Sequence, residues 1–288
     1  MAIVRLTYKL NAGQNYIDIA RGLSITERRL IHQKQVFTVL GGMVVDDATD
    51  TKLKLSTAPN NFYTRNAVTR GFRAWKASRA KALEAAGDSA KDIVAKYSDF
   101  KVYLDAGITA STYLNPFAAG SVQTNNGDWT YSKIIPEQGA EHLLHIVGDS
   151  HAPGSKYCLA LGWLETRKKL LKDPSMPDLN SDGTEDVEVD LISTMFQDSV
   201  EDANRLNRIE GTNDDQPFPL TELMTTQSTY STTEPHNLQL QFIHHSSVNE
   251  VQTSVPGFQA LCGLIRADVT GGSNPILIID VETKGWNF

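Results

Sequence analysis

Residue types used in catalysis stand close together near the middle of the chain. Asp149, Ser150 and His151 are the three types of a hydrolase triad, and a glutamate precedes His142 and His145 in a pattern related to zinc-protease helices. A triad needs residues that meet in space with defined roles, which sequence neighbours rarely achieve. The Glu-His-x-x-His order also departs from the zinc motif His-Glu-x-x-His, and it falls in a segment of strand composition. We therefore expect no enzyme active site here.

Acidic and amide side chains downstream resemble the first part of a calcium-binding EF-hand loop. Oxygen-bearing side chains fall at loop positions 1, 3, 5 and 9, with glycine at position 6. These four residues are Asp178, Asn180, Asp182 and Asp186. Position 12 should be a bidentate glutamate but is Val189. An acidic turn is the simpler interpretation, and a weak structural calcium site is the alternative.

A basic segment is the most informative feature. Between Asp50 and Glu84 there is no acidic residue, and the basic residues are Lys52, Lys54, Arg65, Arg70, Arg73, Lys76, Arg79 and Lys81. Clustered cations neutralise phosphates and release counterions, which makes this segment a candidate nucleic-acid site. A solvated helix face is the alternative. Phe72 and Trp75 lie among the cations, and their helical spacing favours a core role over base stacking.

The charge is distributed unevenly along the chain. The net charge is −7, yet residues 1–101 carry 17 Lys and Arg against 9 Asp and Glu, whereas residues 102–288 carry 10 against 25. This asymmetry suggests a polyanionic partner for the first part. Free-standing nucleic-acid binders are usually basic overall, so the acidic total argues against that class.

One long helix is predicted to carry the basic residues. Apolar residues recur on one face of a 3.6-residue period over 63–86, although Gly71 inside this span disfavours a helix by about 1 kcal/mol. A capping-box pattern predicts a short helix over 24–33. Residues 195–211 form a weaker helical candidate.

Strand signals dominate the rest of the chain. Short β-branched and aromatic runs between turn residues predict strands over 5–10, 35–47, 51–57, 99–105, 143–148, 156–165, 187–193, 238–245, 259–269 and 275–283. Long polar loops are predicted over 106–135 and 211–236. This pattern predicts an all-β fold, a β-sandwich or jelly roll, in one domain over 1–288.

Cys158 and Cys262 lie in apolar runs and are predicted to be buried thiols. No apolar stretch approaches the length of a membrane span.

Three groups of segments carry a family resemblance. They are RLTYKLNAGQNYIDIARGLSITERRL, then TAPNNFYTRNAVTRGFRAWK with KYSDFKVYLD, then NDDQPFPLTEL with VPGFQALCGLIRADV. Spread over nearly the whole chain, they resemble capsid (coat) proteins of small circular single-stranded DNA viruses that encode a rolling-circle replication initiator.

The resemblance implies a jelly-roll subunit that self-assembles into a small icosahedral shell around a single-stranded circular DNA genome. It implies a virion protein assembled inside the host cell, a host receptor of unknown identity, no enzyme activity and no obligatory cofactor. The residues expected to face the genome are Arg65, Arg70, Arg73, Lys76, Arg79 and Lys81, with Arg5, Lys9, Arg28 and Arg29. Many such coats begin with an Arg-rich arm, whereas this chain begins with a strand. The folded inner surface or small cations would then have to neutralise the genome.

Two other classes of function remain open from the residues alone. A β-sandwich glycan-binding or attachment module would use the polar loops, with calcium at Asp178–Asp186. A hydrolase would use Asp149, Ser150 or His151, and would lose its activity on Ser150→Ala.

Overall fold

The computed structural model describes residues 2–46, 50–86, 99–105, 108, 113–118, 122–125, 127–134, 142–148, 156–163, 238–246, 251–271 and 274–283. These residues belong to one compact unit formed by Met1–Leu164 and Glu222–Phe288. The single domain expected over 1–288 stays a prediction.

Strands greatly outnumber helices in the described part of the chain. In chain order the elements are β1 (Ile3–Lys9), β2 (Gly13–Asp18), α1 (Ile19–Glu27), β3 (Val36–Val45), β4 (Lys52–Thr57), α2 (Phe62–Ala85), β5 (Tyr113–Leu114), β6 (Phe117–Ala118), β7 (Val122–Gln123), β8 (Lys133–Ile134), β9 (His142–His145), β10 (Lys156–Cys158), β11 (Gln239–His245), β12 (Gln252–Val255), β13 (Phe258–Leu261), β14 (Leu264–Thr270) and β15 (Ile276–Glu282).

Two five-stranded sheets form the body of the unit. The first has the order β1-β15-β3-β12, with β13 also on β3, and the second has the order β11-β4-β14-β2-β5. Neighbouring strands are antiparallel, except that β2 and β5 run parallel. The short strands β8, β9 and β10 form a third sheet, and β6 pairs with β7. The all-β, sandwich-like prediction is therefore confirmed.

The two large sheets share one apolar core. Successive side chains of a strand point to opposite faces, so alternate residues are buried. Leu6 and Tyr8 of β1 are buried in this way, and so are Leu53 and Leu55 of β4. All four belong to the same apolar cluster. Burial of each leucine contributes about 1.5–3 kcal/mol, which is what holds the two sheets face to face.

Helix α2 is anchored by its first half. Asn61 caps it, accepting a hydrogen bond from the Thr64 backbone N–H at 2.9 Å. Ala67 and Val68 are buried in a second apolar cluster. A Cβ on Gly71 would lie 2.6 Å from Leu159 Cδ2, so any larger residue here would force the Leu159 side chain to shift. The predicted helix over 63–86 is confirmed.

The predicted helix over 24–33 is wrong in its position. Helix α1 begins earlier, because Asp18 rather than Ser24 is its N-cap and accepts from the Arg21 backbone N–H at 3.1 Å. The Ser24 hydroxyl donates to the Ala20 carbonyl within the helix. The helix ends at Glu27, and its C-cap Arg28 adopts a left-handed conformation with φ 54°.

Three predicted strands also need correction. The run over 259–269 is two strands, because Cys262 (φ 57°) and Gly263 (φ 69°) turn the chain from the first sheet to the second. The run over 156–165 is a strand only as far as Cys158, after which residues 159–163 are helical. In 99–105 the only β pairing is an isolated bridge from Tyr103 to His145.

The remaining predicted segments are either confirmed, incomplete or outside the described residues. Those over 5–10, 35–47, 51–57, 143–148, 238–245 and 275–283 are confirmed as β1, β3, β4, β9, β11 and β15. Strands β2 and β12 were not predicted, and the predicted loop over 106–135 contains the short strands β5 to β8. The segments 187–193, 195–211 and 211–236 lie outside the described residues.

Candidate nucleic-acid interface

The cations of α2 lie opposite its buried stripe. At 100° per residue, Ala67, Val68 and Gly71 fall on one side of the helix, and the six cations spread over the other. Five of these are exposed and one is half-buried; they are Arg65, Arg70, Arg73, Lys76, Lys81 and the half-buried Arg79. The helix therefore presents a broad cationic face.

Aromatic rings hold two of the α2 cations in place along this surface. The guanidinium of Arg70 lies 4.8 Å from the Trp163 ring centre, and that of Arg79 lies 5.5 Å from the Trp75 ring centre. Such contacts contribute about 0.5–1 kcal/mol at exposed sites. They orient the long side chains at little further entropic cost when an anion binds.

The rings themselves connect α2 to the segment 99–105. Phe72 and Trp75 are half-buried, and their ring centres lie 5.6 and 5.7 Å from that of Phe100. Their role in the core, favoured by their spacing, is confirmed. The ammonium of Lys34 lies 4.9 Å from the Phe72 ring centre.

Lys34 and Trp163 were missed by sequence reasoning. Lys34 lies in a connection before β3 that gave no basic pattern, and Trp163 lies in an apolar run that was assigned to a strand. Only the fold brings them to α2, so no local signal identifies either one.

The buried carboxylate of Asp18 connects several elements of the fold through hydrogen bonds. Asp18 accepts hydrogen bonds from Gln33 Nε2 and Trp129 Nε1 at 3.1 Å each, and from the Tyr131 hydroxyl at 3.0 Å. Burial raises the pKa of Asp18 to about 6, and the hydrogen bond from the Arg21 backbone N–H opposes that shift. The network ties β2 and α1 to residues 127–134.

Besides backbone hydrogen bonds with Ser132 and residues 144–147, the segment 99–105 makes buried side-chain contacts near its middle and at its end. Gln33 Nε2 also donates to the Val102 carbonyl at 3.1 Å. At the other end, Asp105 accepts from the Tyr16 hydroxyl at 3.0 Å and pairs with Arg266 Nη1 at 3.4 Å. The segment that carries Phe100, whose ring contacts Phe72 and Trp75 of α2, is thus connected to the two large sheets by buried polar contacts.

The other predicted genome-facing cations lie on different elements. Arg5 makes a bidentate contact with Asp280 at 2.7 and 2.8 Å, across β1 and β15 of the first sheet. This hydrogen bonding lowers the pKa of Asp280 below its ordinary value. Because Arg5 already has a partner, it is a weaker phosphate ligand than the cations of α2.

The remaining three cations are exposed. Lys9 ends β1, and Arg28 and Arg29 follow α1. Arg29 lies 3.9 Å from Glu27, a distance that adds little on an exposed surface.

The predicted calcium and triad residues lie outside the described part of the chain. This applies to Asp178, Asn180, Asp182 and Asp186, and to Asp149, Ser150 and His151. Among the residues that the structure does describe, no cluster of three potential metal ligands occurs, and no helix is both long and apolar enough to cross a membrane.

The prediction that Cys158 and Cys262 are buried thiols is confirmed. On β11, His244 is buried and His245 is exposed, so these neighbouring side chains point to opposite sides of the strand.

No protein-family model matches the chain, and no curated protein or solved structure matches it either.

Proposed function

We propose that the chain is a viral coat subunit that self-assembles into an icosahedral shell around a single-stranded circular DNA genome. The observation that carries the proposal is the nested pairing of the strands. β1 pairs with β15, β2 with β14, β3 with β12 and β13, and β4 with β11. The first strand thus pairs with the last, the second with the next to last, and so inward.

This nesting is what a jelly roll requires. Such a chain behaves as one long antiparallel hairpin that is rolled up, so that its two halves form two facing sheets. When the hairpin is rolled up, β15 comes to lie beside β3 and β14 beside β4, which agrees with the order of the strands in the two sheets. Jelly rolls are a fold of viral coats and of lectins, so the strand order supports a coat without excluding a lectin.

The cationic face supports a coat over a lectin. Helix α2 and strands β5 to β10 all lie in the long connection between β4 and β11, at the turn of the hairpin. Helix α2 of this insertion carries six cations, and Glu84 is the only acidic residue of the helix. A neutral glycan has no need of such a surface, whereas a phosphate backbone does.

The genome would contact the folded surface of α2. Five exposed cations on one helix face can neutralise several phosphates. The remainder of the chain is acidic, with 10 Lys and Arg against 25 Asp and Glu over 102–288, so the cations proposed to contact the genome are concentrated in the first part of the sequence. This division reconciles a nucleic-acid partner with a net charge of −7.

The proposal is tested by expressing the full chain together with single-stranded circular DNA. We expect particles of uniform size by negative-stain microscopy, containing DNA that resists nuclease. Uniform particles that contain no DNA would contradict the part of the proposal that concerns genome binding. The absence of particles over a range of salt and pH, combined with a glycan-array signal, would overturn it in favour of the lectin class.

A further inference from the structure

Phe62 is an aromatic side chain on the surface at the beginning of α2. It is 72% exposed, more than any other large apolar side chain in the described ranges. The helix cap does not require an aromatic residue here, because the capping box is formed by Asn61 and Thr64. A single exposed apolar residue is common on protein surfaces, so its neighbours decide what it can bind.

The neighbours of Phe62 along the helix surface are cations. At about 100° and 1.5 Å per residue, Arg73 and Lys76 lie within about 40° of Phe62 around the helix axis, and Lys76 lies about 21 Å from it along the axis. Both cations are exposed, and so is Arg65, about one turn after Phe62. The ring therefore stands at one end of a stripe of positive charge.

The first cation of this stripe, Arg65, is oriented by two amide side chains. Its Nε donates to Asn60 Oδ1 at 2.7 Å, and Asn60 Nδ2 donates to Gln259 Oε1 of β13 at 2.7 Å. A guanidinium has several N–H donors, and its planar fork matches the oxygens of a phosphate. Because Nε is already anchored, Arg65 loses less side-chain entropy when a phosphate binds.

The other aromatic rings of α2 are less accessible to a planar ligand. Phe72 and Trp75 are half-buried, and their ring centres lie 5.6 and 5.7 Å from that of Phe100. Tyr63 is buried, and its hydroxyl donates to the Ala160 carbonyl. Phe62 is therefore the one exposed aromatic residue of this helix, and it lies on the cationic face.

We propose that Phe62 is a stacking platform for one unpaired base of single-stranded DNA whose phosphates contact the cations of α2. Stacking on an aromatic ring tolerates any sequence, because every base has a π-face. The bases of a duplex are paired and stacked on each other, so they do not reach the ring. A symmetric contact between two copies of this face would bring like charges together, which disfavours a second copy as the occupant. The inference rests on the genome contact proposed for α2 and adds that this contact selects single strands.

The test compares oligothymidylate with an abasic oligonucleotide of the same length and charge, each titrated with the full chain in fluorescence anisotropy. We expect the wild type to bind oligothymidylate about fivefold more tightly, because stacking adds to the same phosphate contacts. Phe62→Ser should bind both oligonucleotides equally, with the affinity that the wild type has for the abasic one. Phe62→Trp should keep the difference.

Two control variants separate stacking from charge and from the loss of an exposed apolar side chain. Arg73→Gln with Lys76→Gln should weaken the binding of both oligonucleotides and leave the ratio of their affinities unchanged. Leu240→Ser removes an exposed apolar side chain from β11 and should change neither affinity.

Three outcomes would overturn the stacking role. Equal affinity of the wild type for both oligonucleotides, or a ratio that persists in Phe62→Ser, would do so and leave the cationic interface standing. Failure of the wild type to bind either oligonucleotide would overturn the proposed genome contact as well. If Phe62→Ser prevents assembly without DNA in sedimentation velocity and keeps the ratio, the ring belongs to a contact between copies of the chain.

Discussion

The side chain of Gln33 pairs with the backbone of Val102 as a neighbouring strand would. Its Nε2 donates to the Val102 carbonyl at 3.1 Å, and its Oε1 accepts from the Val102 N–H at 2.6 Å. The same Nε2 donates to Asp18. This amide thus supplements the backbone hydrogen bonds that Tyr103 and Leu104 make with residues 144–147.

Replacing this amide should destabilise the protein strongly. Gln33→Leu leaves the buried N–H and carbonyl of Val102 unpaired and removes one donor from Asp18. We expect the free energy of unfolding to fall by about 2–4 kcal/mol in chemical denaturation. Gln35→Leu is the matched control, because the Gln35 amide bonds at the surface. A similar loss in both variants would contradict the assigned role of Gln33.

The pH dependence of stability should identify Asp18. The folded state raises its pKa from 3.8 to about 6, so the folded protein binds this proton more tightly than the unfolded chain. Its contribution is therefore most favourable below pH 4, declines as the pH rises to about 6, and is constant above that. The decline amounts to about 3 kcal/mol. In Asp18→Asn this part of the decline should be missing from unfolding free energies measured between pH 4 and 7. An identical slope in wild type and variant would contradict the raised pKa.

The close contact between Gly71 and Leu159 predicts a compensating pair. Alanine favours a helix over glycine by about 1 kcal/mol. Gly71→Ala should nevertheless destabilise the protein by about 1–3 kcal/mol, because its Cβ meets the buried Leu159 side chain.

Three variants separate the clash from other effects. Leu159→Ala should be destabilising alone, and the double variant should be more stable than the sum of the single changes predicts. Additive losses in thermal or chemical unfolding would show that the two side chains do not compete for the same space.

The interface on α2 predicts how affinity for single-stranded DNA depends on salt. Each phosphate contact contributes about −0.7 to the slope of log K against log salt. Arg73→Gln with Lys76→Gln should therefore make the slope shallower by about 1.4 in fluorescence anisotropy titrations. Arg5→Gln should change it little, because Asp280 already occupies that guanidinium. A larger effect from Arg5 than from the pair on α2 would place the interface elsewhere.

Strands and helices with strong local periodicity were predictable, and contacts that depend on side chains from distant segments were not. Leu53 and Leu55 alternate with lysines, so β4 could be read directly, and the buried stripe of α2 was equally clear. Residues 99–105 have strand composition, but they form only an isolated bridge to β9, and Val102 pairs with the side chain of Gln33.

Turns made by unusual residues also escaped prediction. Cys262 is not a turn-forming type, yet its positive φ divides one apolar run between two sheets. At the site, the cations of α2 were predictable from the sequence alone. Their aromatic partner Trp163 was not, because only the fold brings its ring against Arg70.

Sedimentation velocity of the purified full-length chain tests the proposed assembly most directly. Interfaces of permanent shells commonly bury more than about 2,000 Å² per contact, so assembly should persist on dilution. We predict one dominant species that sediments as a closed particle of many subunits, far faster than a monomer. A monomer alone at every salt concentration and pH would contradict the coat-protein proposal.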